Sequence, residues 1–276
     1  MPEGPEIRRV ASRISKVVAN QGPLQVTFTQ PHLHHFGEIL SGRQVLNVTS
    51  RGKALLTQFE GALTVYSHNQ LYGRWSISRI GRVPKTTRTL RFAMHSATHS
   101  ALLYSASEIA VLSPEEMENH PFLTKLGPDA LDDGVHWRDV LKRLMDKRFH
   151  KRSLAALYLD QTLIAGTGNY LRSEILHQSG VHPFDRPCDL TRKQLGLLAR
   201  TTLSLSRQAY VTSGITNTPA RVKRLKAAGI RRSRYRHLAF ARSEQPCYRC
   251  SDLIERIEIS GRRLYLCRRC QPKHLP

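Results

Sequence analysis

A chain of 276 residues with 40% hydrophobic content is long enough for two domains with cores of their own. Lys and Arg number 43 against 21 Asp and Glu, a formal charge of +22, and residues 219–276 alone hold 16 basic and 4 acidic side chains. That excess points to a polyanion, nucleic acid before an anionic membrane, because the basic residues do not lie opposite one long apolar helical face. Glu3, Glu6, Arg8 and Arg9 interrupt any apolar leader, and no run approaches the ~20 apolar residues of a membrane span. The expected address is a reducing cytoplasm.

Residues 5–20 predict a helix, with Ile7, Val10, Ala11, Ile14, Val17 and Val18 on one face and Arg8, Arg9, Arg13 and Lys16 on the other. Gly22-Pro23 ends it. Strand-like runs follow at 24–30, 44–50, 53–59, 62–68, 74–78, 89–95 and 100–105, with a hairpin signal at Glu60-Gly61. Short strands so spaced, without long helices between them, imply an antiparallel sandwich or barrel. Ser113-Pro114-Glu115-Glu116 is a helix start. Residues 119–134, with little periodicity, read as a linker. Beyond His136 the pattern turns helical, marked by Trp137, Val140, Leu141 and Leu144, then Leu154, Leu157 and Tyr158, then Tyr170, Ile175 and Leu176, then Leu195, Leu198 and Leu205. The polar, basic stretch 212–236 reads as a mobile surface segment. The fold class is therefore α+β in two domains, a helix plus antiparallel β-sandwich at 1–118 and, after the linker, a helical region at 135–236 with a cysteine-bearing end at 237–276.

The chain begins Met1-Pro2-Glu3-Gly4-Pro5-Glu6. Removal of Met1, common before a small residue, leaves Pro2 with a secondary amine whose reference pKa is about 7.7–8. Such an amine attacks an aldehyde-like carbon and forms an iminium. Glu3, the next residue, is a ready proton donor or acceptor. The plainer alternative makes Pro5 the first residue of a helix and the rest a frayed end.

Cys247-x2-Cys250 and Cys267-x2-Cys270, with 16 residues between the pairs, suit one tetrahedral structural zinc. Four thiolates would leave the metal no open position, so its work is to fold a small hairpin rich in arginine, including Arg262 and Arg263. The fifth cysteine, Cys188, has no pattern. Ala165-Gly166-Thr167-Gly168-Asn169 lies before a helix, where glycines permit close approach of a ligand and free N–H groups attract phosphate, or where a turn simply takes an Asn cap. Lys53, after Arg51-Gly52, is either a solvated edge charge or a functional cation. Gln70-Leu71-Tyr72-Gly73 is either core or a probe inserted into a base stack. The 13 histidines are scattered without ligand spacing and read as surface and packing residues.

Taken together and in this order, the opening hexapeptide, Arg51-Gly52-Lys53, residues 67–73, Leu159-Asp160-Gln161 leading to Gly166-x-Gly168-Asn169-Tyr170, and the four-cysteine finger resemble the formamidopyrimidine-DNA glycosylase/endonuclease VIII family. The resemblance spans essentially the whole chain, and Gln70-Leu71-Tyr72 is similar to the endonuclease VIII branch, which acts on oxidised pyrimidines. It implies a bifunctional glycosylase and lyase with a helix–two-turns–helix domain. Pro2 would be the Schiff-base nucleophile and Glu3 its partner in proton transfer. Lys53 would hold a phosphate and share in acid–base steps. Asn169 and Arg262 would clamp the backbone, with Arg262 active in the last elimination, and Gln70, Leu71 and Tyr72 would fill the space of the extruded base. At Lys125 the pattern implies arginine, so a bidentate backbone contact is lost while the charge stays. The implied partner is damaged double-stranded DNA, bound by a monomer with one structural zinc ion, no small-molecule cofactor and no membrane. The alternatives are the purine-directed branch and a non-catalytic DNA-binding zinc protein.

Overall fold

The structure, a computed structural model, describes residues 2–274. Its contacts divide the chain into two units, the first holding Pro2 and Glu6–Lys125, the second Glu3–Pro5 and the residues from Leu126 onward.

The first unit opens with helix α1 (Gly4–Val18), whose first two residues group with the second unit. There follow β1 (Gln25–Phe28), α2 (His34–Leu40), β2 (Val45–Arg51), β3 (Ala54–Phe59), β4 (Thr64–His68), β5 (Arg74–Arg79), β6 (Leu90–His95), β7 (His99–Tyr104), β8 (Glu108–Leu112) and α3 (Pro114–Glu118). Two four-stranded antiparallel sheets form, in the orders β1-β6-β7-β5 and β2-β3-β4-β8. Their inner faces share one core, in which Phe28, Phe92, Met94 and Leu103 of one sheet meet Val48, Leu55, Phe59 and Val65 of the other. Ile7, Ala11, Ile14 and Val18 of α1 belong to the same core, as their helical spacing predicts. The expected sandwich is present.

Strand β8 and helix α2 have no counterpart among the elements the sequence predicts. Strand β8 begins after a turn of three residues in which Ser105 takes a left-handed φ of 52°, and it pairs with β4 rather than with its neighbour in sequence. Helix α2 lacks apolar periodicity. It lies against β1 through Gly37, where a Cβ would stand 3.2 Å from the Val26 carbonyl oxygen. The Ser113 start of α3 does form a capping box, with Glu116.

The second unit contains α4 (Trp137–Leu144), α5 (Leu154–Leu157), α6 (Asn169–Ser179), α7 (Arg192–Val211), α8 (Pro219–Ala227), α9 (Arg232–Tyr235) and the antiparallel hairpin β9 (Glu255–Ile259) and β10 (Arg262–Leu266). Leu144, Leu157, Tyr158, Leu171, Ile175, Leu176 and Leu198 form its core together with Leu264 and Leu266 of the hairpin. Helix α6 is buried on all sides. Arg172, Glu174 and His177 are all fully buried beside its apolar residues.

The stretch 212–236, read as a mobile segment, instead carries α8 and α9. Thr218 caps α8, and the buried Asn217 amide donates to the carbonyl oxygens of Tyr235 and His237 at 2.8 and 3.0 Å. One polar clasp thus closes a loop that hydropathy alone leaves open. No helix of the described residues is long and apolar enough to cross a membrane.

Candidate active site and zinc site

Glu3 is 2% exposed. Its carboxylate sits at the start of α6, accepting from the Tyr170 N–H at 2.8 Å and the Leu171 N–H at 3.2 Å. The first N–H groups of a helix have no partner within it, and the dipole favours an anion there. The adjacent Gly4 N–H donates to the Gly166 carbonyl oxygen at 2.8 Å. Two glycines make this approach possible. A Cβ at Gly4 would stand 2.8 Å from the Gly166 Cα, and one at Gly168 would stand 2.5 Å from Cδ of Glu3. The glycines of 165–169 therefore admit the chain's own Glu3-Gly4, and the helix N–H groups expected to attract phosphate are engaged by a carboxylate. What this end offers an outside ligand is the half-buried side chain of Asn169.

Beside Glu3 lies Arg172, wholly buried. It donates to the carbonyl oxygens of Ala155 at 2.9 Å and Arg263 at 3.1 Å, and to Oδ1 of Asn169 at 3.4 Å. Burial holds its guanidinium down at about 10, the Arg262 charge pushes the same way and Glu3 opposes both. One side chain thus ties Asn169 on α6 to the hairpin carrying the exposed Arg262. Arg172 carries no signal of burial in the sequence, where an arginine among the polar positions of a helix looks like any solvated one. Glu174, two residues on, is equally hidden there. Its buried carboxylate accepts from the N–H groups of Leu238, Ala239 and Phe240 at 2.7 to 2.8 Å and from Thr216, fixing the chain that leads into the finger.

In the first unit, Lys53 lies between β2 and β3 after Gly52, whose φ is +60°. It is 7% exposed, so the solvated edge charge is set aside. A buried cation needs a compensating environment. Near it is His68, whose imidazole burial pushes below its ordinary value, with Glu108 opposing and Lys53 adding to the fall. Glu108 accepts from Tyr66 at 2.8 Å and from Nε2 of Gln70 at 2.5 Å. The Gln70 N–H donates to Nδ1 of His68 at 3.2 Å, and the residue takes φ +48°. The turn closes through the Gly73 N–H on the Asn69 carbonyl oxygen at 2.7 Å, so close that a Cβ on Gly73 would meet that oxygen at 2.5 Å. Leu71 and Tyr72 are left 68% and 70% exposed at its tip. They are not core residues. Lys125 is exposed, outside any helix or strand.

The four cysteine sulfurs lie within 4.8 Å of one another. Those of Cys247 and Cys270 are 3.8 Å apart, and those of Cys250 and Cys267 3.4 Å. A tetrahedron with Zn–S bonds of about 2.3 Å needs sulfurs about 3.8 Å apart, so the set fits zinc. The Arg249 N–H points at the Cys247 sulfur at 3.4 Å, and Nε2 of His177 stands at the same distance. No histidine enters a metal-binding cluster among the described residues, and Cys188 is exposed away from the site.

Family models agree with this anatomy. The formamidopyrimidine-DNA glycosylase N-terminal domain matches residues 1–106, the formamidopyrimidine-DNA glycosylase H2TH domain residues 126–219, and a zinc finger found in FPG and IleRS residues 244–273. The four cysteines therefore hold a structural zinc ion. Endonuclease 8 of Escherichia coli O17:K52:H18 (strain UMN026 / ExPEC) is 43% identical over 271 residues, 98% of this chain and 100% of that protein. Endonuclease 8 of Shigella sonnei (strain Ss046) is 42% identical over the same span. Among solved structures, Lactococcus lactis Fpg (MutM) in complex with DNA containing N7-benzyl-Fapy-dG superposes with a TM-score of 0.81 at 20% identity, covering 99% of this chain and all of that one. The same enzyme with DNA containing an oxidised pyrimidine gives 0.80 at 19% identity, again covering 99% and 100%. At such identity the superposition speaks for the fold, while the full-length relatives and the domain matches carry the assignment: the chain belongs to the formamidopyrimidine-DNA glycosylase/endonuclease VIII family and is a DNA glycosylase and abasic-site lyase of base-excision repair.

Proposed function

We propose that this enzyme removes oxidised pyrimidines from duplex DNA through a Schiff base on Pro2 and then nicks the strand by β- and δ-elimination. The observation that carries the reading is the seat of Glu3, held by two N–H groups of α6 and joined by one peptide bond to Pro2. A terminal amine is otherwise mobile, and a nucleophile gains most from a fixed position.

A base in the stack is out of reach, so the nucleotide is first extruded, at a cost of a few kcal/mol. With Met1, which lies outside the described residues, removed, the Pro2 nitrogen attacks C1′. The N–C1′ bond forms as the glycosidic bond breaks, and the base leaves with that electron pair. Glu3 takes the proton from the amine and returns it to O4′ as the sugar ring opens, which leaves an iminium. The iminium acidifies C2′. Loss of that proton breaks the C3′–O bond, and loss of a further proton at C4′ breaks the C5′–O bond. Lys53 holds the phosphate beside the lesion and shares in the proton transfers, while Asn169, Arg262 and the exposed Lys125 bind the backbone. Gln70, Leu71 and Tyr72 occupy the vacated space. Arg262 promotes the second elimination. The zinc ion supplies no chemistry to these steps, because four thiolates fill its coordination. The enzyme acts as a monomer.

A panel of single-lesion duplexes with borohydride tests the reading. Oxidised pyrimidines should give the fastest excision and a covalent adduct on Pro2, in protein whose intact mass lacks Met1. Faster excision of formamidopyrimidine or oxidised purine would assign the purine-directed branch. Full trapping by protein that retains Met1 would remove Pro2 as the nucleophile.

A further inference from the structure

A groove of about 710 Å³ opens between α4 and α7, sharing no residue with the Glu3, Asn169, Arg172 and Arg262 cluster or with the zinc site. Its floor is apolar, made by Trp137, Leu141 and Met145, and five cations, Arg138, Lys142, Arg192, Lys193 and Arg200, surround it with no carboxylate among the lining residues. Three choices here run against local stability. Arg192 and Lys193 stand in the first turn of α7 without an acidic neighbour there, where the helix dipole disfavours cations. Gly196 lies in the interior of the same helix, a position where glycine weakens it. Its lack of a side chain leaves room for Arg200, since a Cβ would stand 3.3 Å from Nη1 of that guanidinium. Arg200 in turn lies 3.8 Å from the centroid of the Trp137 ring, with Arg138 at 4.9 Å. Local rules broken together at one place, at a cost that an exposed cation–π stack offsets only in part, mark a functional surface.

We infer that this groove docks an acidic peptide segment of a partner protein, its carboxylates on the five cations and one apolar side chain on the floor. A duplex is a poor fit, because it presents phosphates on a convex surface with no apolar group to fill the floor. A stacked base would have to displace Arg200 from Trp137.

The test is fluorescence anisotropy of the full-length protein with a labelled Asp-Asp-Asp-Asp-Leu-Phe peptide. Two control peptides replace either the aspartates by asparagine or Leu-Phe by Gly-Gly, and each should bind at least about tenfold more weakly. The double variant Lys142→Glu/Lys193→Glu, at two exposed positions, should weaken the acidic peptide by about tenfold or more while its melting temperature and excision rate stay at the parent's values. The peptide should also remain bound when an abasic-analogue duplex saturates the enzyme. Absence of binding, equal binding of the Gly-Gly control, indifference to the charge reversal, or displacement by the duplex would each overturn the inference.

Discussion

Glu3 has left water, and two N–H groups of α6 replace the hydration it lost. Its seat depends on Gly168, whose φ of −152° any residue can adopt. The constraint there is space alone. Gly168→Ala should therefore expel the carboxylate and lower the melting temperature by several degrees, since the Tyr170 and Leu171 N–H groups lose their acceptor, and a displacement of about 1 Å can cost about 100-fold in rate. Excision and borohydride trapping measure it, and unchanged rates would show that the seat is irrelevant to catalysis. Stability in acid belongs to a different residue. Burial drives His237 down to about 3, and the charges of Arg236 and Arg232 add to the fall. The folded state then binds fewer protons than the unfolded chain between that value and the ordinary one near 6.5, so stability is full above pH 6.5 and falls below it. One such group contributes about 1.4 kcal/mol per pH unit inside that window. Melting curves from pH 7.5 down to 5 should show the decline, and His237→Gln should make it shallower, with His177, which burial also lowers, keeping part of it.

At the scale of elements, the turn between β4 and β5 and the hairpin β9–β10 are built for opposite ends. The turn is rigid at its base, where Gln70 is tied to Glu108 and His68, and bare at its tip. Leu71→Ala should leave the melting temperature almost unchanged, since the side chain is 68% exposed, but should slow excision from duplex far more than from single-stranded substrate, which has no stack to refill. A buried leucine would instead cost about 2–5 kcal/mol and affect both substrates alike. The hairpin, by contrast, rests on zinc from one side and on Arg172 from the other, through the Arg263 carbonyl. Cys250→Ser should release the metal and free Arg262, so that strand cleavage falls while the first unit stays folded. Metal analysis and a circular dichroism melt check both parts, and active protein without zinc would contradict the structural role.

Across the whole molecule, the +22 charge makes DNA affinity a matter of counterion release. With about six or more phosphates neutralised, binding to undamaged duplex should weaken by about 1,000-fold between 50 and 200 mM salt, a slope that titrations at several ionic strengths would read directly. A shallow slope would mean that few of the 43 basic side chains meet the backbone. That charge, the α1 stripe, the alternation of the strands and the cysteine spacing are legible in the sequence because each is a property of neighbours, set within a few residues by helix period, strand period or metal geometry. Glu3, Asn169 and Arg262 are nameable there as candidates. Their grouping around Arg172 is not, since it joins residues more than 160 and 90 positions apart through contacts that leave no local pattern. The same limit hides β8, which pairs across the sheet, and the burial of Lys53, Glu174 and His237. Whether a charged side chain faces water or the interior is decided only when distant segments close around it, because the hydrogen bonds that make its burial tolerable come from those segments.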